Sequence, residues 1–321
     1  MNPPTRVAYR ATFLLLVTLT ILLVGGMIGS SLTAGLMMRG VLNDPAVIES
    51  IKGVAEQTVT QKEYEQTLSD AMLRYQETHA TLLTLASLFG TVGEICVLVL
   101  FVKCVEHASL SSIGLGGKGR ALRYLGGCVL GLGMFGAAVA LLSLTGAARL
   151  ESSPHTEPIL IASFFLAFVI QGAAEELLLR GFLMNRLRMG RSVWMAVLIS
   201  SLLFGILHLP NEGAGGLAFV NVCLFGVFAS LLYLVTGSLW VSMGVHTLWN
   251  FAQGNLFGCS VSGFSLGASP FRMVLAEGRD LTHGGLFGPE GGLAVTLVLL
   301  LSLALLVLVG FRTPLTKKKP E

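Results

Sequence analysis

Charge is what this chain has least of. Only 12% of its 321 residues are Asp, Glu, Lys or Arg, about half the ~25% of a soluble domain, which excludes a globule bathed in water on all sides. The formal net charge is +3 and no basic run is interleaved with aromatics, so a nucleic-acid partner is excluded. Five cysteines occur, Cys96, Cys104, Cys128, Cys223 and Cys259, with no CxxC and no metal-ligand spacing. They read as small buried hydrophobes and imply no disulfide framework. No repeat with a period of about 20–50 residues is evident, which argues against a solenoid. There is no HExxH segment, which argues against the usual zinc-protease helix.

What the chain does have is apolar sequence: 53% hydrophobic residues and a mean hydropathy of +0.77. Runs of the ~20 residues needed to cross a bilayer occur at 11–38, 82–102, 122–148, 159–184, 193–209, 217–235, 239–257 and 293–309. The expected fold is therefore all-α, a polytopic helical bundle of about eight spans. By segment, 1–40 is a tail and the first span, 41–80 a polar extramembrane stretch, and 81–150 the second and third spans. Residues 151–260 form a core of spans four to seven, and 261–321 a loop, the last span and a basic tail. The first run is too long for a signal peptide and lacks a clear cleavage site. The polar stretch carries Tyr64, Leu68, Ala71 and Tyr75 at helical spacing and reads as one short amphipathic helix against the bundle. The loop from Gly258 to Gly291 reads as a connector.

Basic residues set an orientation. Arg6, Arg10, Lys103, Lys118, Arg120, Arg123, Arg186, Arg188, Arg191, Arg312 and Lys317 to Lys319 fall on one side of an eight-span path. Arg39, Lys52, Lys62, Arg74, Arg149, Arg272 and Arg279 fall on the other, and Arg180 lies inside. Both termini are then expected to be cytoplasmic.

Polar residues within the spans carry the chemistry, since each charge at bilayer depth costs at least ~2.5–3.5 kcal/mol. Glu176 and Arg180 are four apart, share a helix face and can offset each other. Glu175 lies about 100° round the helix and is left free, with Gln171 four residues before it on the same face. The fifth span ends in Phe204-xxx-His208 and the seventh holds His246-xxx-Asn250. Counting back from a reversal near Gly190, Glu175 and His208 reach a similar depth at ~1.5 Å per residue. A carboxylate beside an imidazole can activate water, and a histidine with an amide can hold an oxyanion. Such a set hydrolyses an amide without a nucleophilic Ser or Cys. Of the remaining polar residues, Glu94 lacks a partner on its own helix, His79, His107, His155 and His283 read as solvated, and Asn221 bridges helices or lines a cavity.

Glu175-Glu176-xxx-Arg180, Phe204-xxx-His208 and His246-xxx-Asn250, in that order, resemble the three motifs of the CPBP (Abi) family of intramembrane glutamic endopeptidases. That family includes the type II CAAX prenyl proteases and bacterial relatives, some linked to bacteriocin processing or immunity. The resemblance covers about 159–257 and implies a membrane endopeptidase of a bacterial cell membrane, needing no cofactor. Its partners would be the lipid bilayer and a peptide or protein substrate in or near the membrane, prenylated or not. It implies Glu175 as the water-activating base, supported by Glu176 and Arg180, with His208 holding the water. His246 and Asn250 would form the oxyanion site, and Phe204 would pack beside His208. Three alternatives stay open: a zinc hydrolase with Glu175, His208 and His246 as ligands, a transporter with a proton relay, and a catalytically silent binding or immunity protein.

Overall fold

The computed structural model describes residues 3–153 and 157–310, with side chains from Ala11 onward. The expectations for His155, Arg312 and Lys317 to Lys319 lie outside the described residues, as do the side chains of Arg6 and Arg10. Helix α1 (Pro3–Leu42) is followed by α2 (Pro45–Ala55), α3 (Gln61–Thr78), α4 (Ala80–Gly90) and α5 (Val92–Leu100). Next come α6 (Arg120–Leu144), strand β1 (Ala148–Ser152), α7 (Pro158–Glu176), α8 (Asn185–Arg188), α9 (Val193–Leu207), α10 (Gly216–Thr236) and α11 (Leu239–Phe251). Strand β2 (Phe271–Leu275), α12 (Asp280–His283) and α13 (Leu293–Gly310) complete the chain.

The molecule is a helical membrane bundle, as its composition requires. Among the described residues six helices are long and apolar enough to cross a membrane. All eight expected rods exist, but α9 is a shorter apolar helix and α11 continues only as a π-helical stretch, Ala252–Leu256. Each short rod ends in polar sequence, α9 at His208 and α11 in Gln253 and Asn255. The span expected at 82–102 is broken at Thr91 into α4 and α5. Thr91 turns its hydroxyl back onto the Leu88 carbonyl at 2.7 Å, so that carbonyl is satisfied where the ladder is interrupted.

Without a hydrophobic drive between helices in lipid, close approach of backbones supplies the packing. A Cβ on Gly29 would meet the Gly90 carbonyl, and one on Gly131 the Val245 carbonyl; these glycines let α1 lie on α4 and α6 on α11. Helix α11 is central, touching α6, α7 and α10. Tyr124 OH donates to Thr247 Oγ1 (2.9 Å) and Thr247 Oγ1 to the Phe168 carbonyl (3.3 Å), tying α6, α11 and α7 together.

Several expectations need correction. The polar stretch forms two helices, because Thr58 and Val59 fold back onto the Gly53 carbonyl and Thr60 starts α3 with a capping box to Glu63. The helical pair packs Val47 and Ala71 against Val41 at the end of α1. The run expected as a span to 148 stops at Leu144, and β1 pairs antiparallel with β2. His283 is buried, not solvated, with Nε2 3.0 Å from the Ala276 carbonyl and Nδ1 accepting from Gly285 N. His79 is half-buried and stacked on Tyr75. Of the cysteines only Cys259 is buried; Cys96 and Cys104 are exposed on the apolar surface and Cys128 and Cys223 are half-buried.

Candidate active site

The site begins where α7 ends. From Leu177 to Met184 the rod winds as a π-helix, a form concentrated at functional positions. Its loosened carbonyls find side-chain donors: Ser200 Oγ bonds Leu179 O at 3.0 Å and Asn185 Nδ2 bonds Gly181 O at 3.0 Å. Arg180 Nη1 donates to Glu176 Oε1 at 2.8 Å, and both side chains are fully buried. The guanidinium lies over the Phe204 ring at 4.6 Å. The Phe204 ring also packs edge-on against His208.

Glu175 points elsewhere, as helical geometry requires. Its Oε1 accepts from Gln171 Nε2 at 2.7 Å, and Gln171 Oε1 accepts from Asn250 Nδ2 at 3.1 Å. His246 Nδ1 donates to Glu176 Oε1 at 3.1 Å, which turns Nε2 to within 3.4 Å of Glu175 Oε2. These contacts form a chain linking α7 and α11: Arg180, Glu176, His246, Glu175, Gln171 and Asn250. Glu175 Oε2 is buried and makes no hydrogen bond among the described residues.

That oxygen's side chain lines a cavity of about 270 Å³ shared with Gln171, His208, Asn250 and Glu94. A liquid water takes ~30 Å³, so the cavity has room for water and part of a peptide. His208 Nδ1 lies 2.8 Å from the Phe204 carbonyl; a carbonyl only accepts, so Nδ1 carries a hydrogen. A second chamber of about 20 Å³ touches His208, His246 and Asn250, the size of one water. Every expected site residue is thus in one network or cavity. Glu175, His208 and His246 do not gather as metal ligands: among the described residues no three His, Cys, Asp or Glu side chains do.

Two contributors were not foreseen. The loop expected as a connector folds over the site, and its Val261, Ser262 and Phe264 line the large cavity. Glu290 holds it there. Its Oε1 accepts from Trp249 Nε1 at 2.9 Å, and its Oε2 from Ser262 N, Ser262 Oγ and Gln253 Nε2 at 3.0, 2.7 and 3.3 Å. Asn221 bridges as expected, donating to the Glu290 and Gly292 carbonyls. No local motif marks Glu290; its only signal is an acidic residue between glycines just before an apolar span. The same loop contains Gly263-Phe264-Ser265-Leu266-Gly267, a G-x-S-x-G string. Ser265 is exposed, outside the cavity lining and not on a strand-to-helix turn, so it is no nucleophile elbow. Burial, followed by the Glu290 charge, pushes the Cys259 thiol up to about 12, which keeps it from acting as a thiolate nucleophile. At the periphery, Arg272 and then Arg149 hold the Glu151 carboxyl below its usual range.

Fold and site together define a membrane-embedded helical bundle with a carboxylate–imidazole network beside a partly open cavity. Residues 157–252 match the family described as Type II CAAX prenyl endopeptidase Rce1-like, in agreement with the motif resemblance. The chain is also 34% identical over 104 residues to Uncharacterized protein YyaK of Bacillus subtilis (strain 168), a match covering 31% of this chain and 33% of that protein. The chain thus matches only about a third of the length of that curated relative. No solved structure matches. All three motifs fall within the matched segment; Glu94, Ser262 and Glu290 fall outside it.

Proposed function

We propose that the protein is an intramembrane endopeptidase that hydrolyses a peptide bond in a membrane-proximal or lipid-modified peptide, without a metal. The observation that carries this reading is the Glu175 side chain, with Oε1 held by Gln171 and Oε2 unbonded, on the wall of a cavity that His208 also lines. Glu175 takes a proton from a water oriented by His208, and the hydroxide attacks the scissile carbonyl carbon. In this reading His246 acts as the imidazolium, with Nδ1–H held by Glu176, and its Nε2–H meets the oxyanion together with the second amide hydrogen of Asn250. Collapse breaks the C–N bond, and the proton held by Glu175 passes to the leaving amine. Glu176 and Arg180 fix the His246 ring, and Gln171 fixes Glu175. Both termini lie on the cytoplasmic face of a bacterial cell membrane in this reading.

Glu175→Ala, His208→Ala and His246→Ala are each expected to abolish cleavage of membrane-reconstituted peptides while the protein stays inserted and folded. Retained cleavage by Glu175→Ala overturns the mechanism. Activity is expected to survive a strong chelator; loss that zinc restores would favour the metal alternative. A proton relay for transport would instead show as proton-coupled uptake in proteoliposomes that Glu175→Ala removes.

A further inference from the structure

One carboxylate in the large cavity has no part in this chemistry. Glu94 stands in the first turn of α5, just past the break at Thr91, and lines the cavity that holds Glu175. Its side chain has no hydrogen bond or ion pair among the described residues. Glu175, by contrast, is served by Gln171 and faced by His246. The cavity lining contains these two carboxylates and no Lys or Arg. Arg180 lies outside that lining, with Nη1 on Glu176. A carboxylate at membrane depth is costly without a counter-charge, and among the described residues none pairs with Glu94. Most of the remaining wall is apolar, leucine and phenylalanine above all, so a cation entering it would find Glu94 as its unclaimed partner in a medium that weakens screening.

We propose that Glu94 is a specificity-determining residue that receives the cationic group of a lysine or arginine in a peptide bound in this cavity. The inference rests on the reading that a peptide occupies the cavity. Glu94 and Glu175 share a space of only about 270 Å³, and an extended chain advances ~3.3 Å per residue. The basic residue therefore falls within about two positions of the scissile bond.

The test uses the full-length protein in nanodiscs with Glu175→Gln, so that binding is read without turnover. Labelled hydrophobic nonapeptides carry one lysine at each successive position, each paired with its norleucine isostere. At one or two positions lysine is expected to bind at least ~10-fold tighter than norleucine. Glu94→Gln should erase that difference and leave norleucine affinity unchanged, while Glu94→Asp should keep the lysine preference in weaker form. Should the Gln variant fail to fold, the Glu94 and Asp proteins carry the comparison. Equal binding of lysine and norleucine peptides at every position, binding of neither, or a lysine preference that survives Glu94→Gln overturns the proposal. Cleavage by the protein with Glu175 intact is scored separately: lysine-selective binding without cleavage sinks the peptidase reading alone, and cleavage without lysine preference sinks this inference alone.

Discussion

Glu175 and Glu176 are neighbours in sequence with different tasks because one helical step separates their directions by about 100°. Glu176 turns inward to Arg180 and His246, and Glu175 turns to the cavity. The inward pair should dominate stability. Removing one partner of a buried ion pair strands the other charge and costs about 3–5 kcal/mol, and Arg180 also loses its seat on Phe204. Arg180→Ala is thus expected to lower the thermal midpoint sharply in detergent, and Arg180→Met with Glu176→Gln to recover part of the loss. A midpoint unmoved by Arg180→Ala would mean the pair does not hold the site. Gln171→Leu should act differently, lowering kcat roughly tenfold by freeing Glu175 Oε1, with KM and the midpoint little changed. This part of the site was legible in the sequence because its contacts are i, i+4 along α7 and the π-helical turns that continue it, so their direction follows closely from the helical period. The link from His246 to both glutamates was not, since it depends on how α11 sits against α7.

At the scale of elements, the position of α11 is set by its contact with α6. Gly131 faces the Val245 carbonyl directly, whereas Gly133 faces open space. Gly131→Leu is expected to push α11 outward, moving His246 and Asn250 on the same helix, at a cost of about 1–3 kcal/mol and most of the cleavage activity. Gly133→Leu on the lipid side should leave both unchanged, which makes the pair a test of packing rather than of glycine content. Equal effects of the two substitutions would remove close packing as the cause. Hydropathy made the rods legible, but not their interruptions. The break at Thr91 and the π-helix at 177–184 leave no mark in an apolar average, because each is stabilised by a few side-chain hydrogen bonds from other helices or from Thr91 itself. The β1–β2 pair escaped for a related reason: two five-residue strands far apart in sequence are too short for an alternating pattern to be distinctive.

At the scale of the whole molecule, the matched domain does not close its own cavity. The wall formed by Val261, Ser262 and Phe264 comes from a loop beyond residue 252, and Glu290 joins that loop to α11 through Trp249 and Gln253. Both Glu290 oxygens accept, so an amide in its place must turn a donor toward donors. Glu290→Gln should therefore cost about 1–3 kcal/mol in unmet hydrogen bonds and release the loop. The strands would resist, since Arg272 bridges to Glu151 across the pair at 2.9 Å, and cutting should concentrate between Gly258 and the start of β2. Limited proteolysis with N-terminal sequencing of the fragments reads this directly. New cuts there, with cleavage activity reduced and Trp249 fluorescence altered, are the expected outcome. An unchanged fragment pattern in Glu290→Gln would show that the loop is held by its apolar contacts instead, and the cavity wall would then owe nothing to the carboxylate.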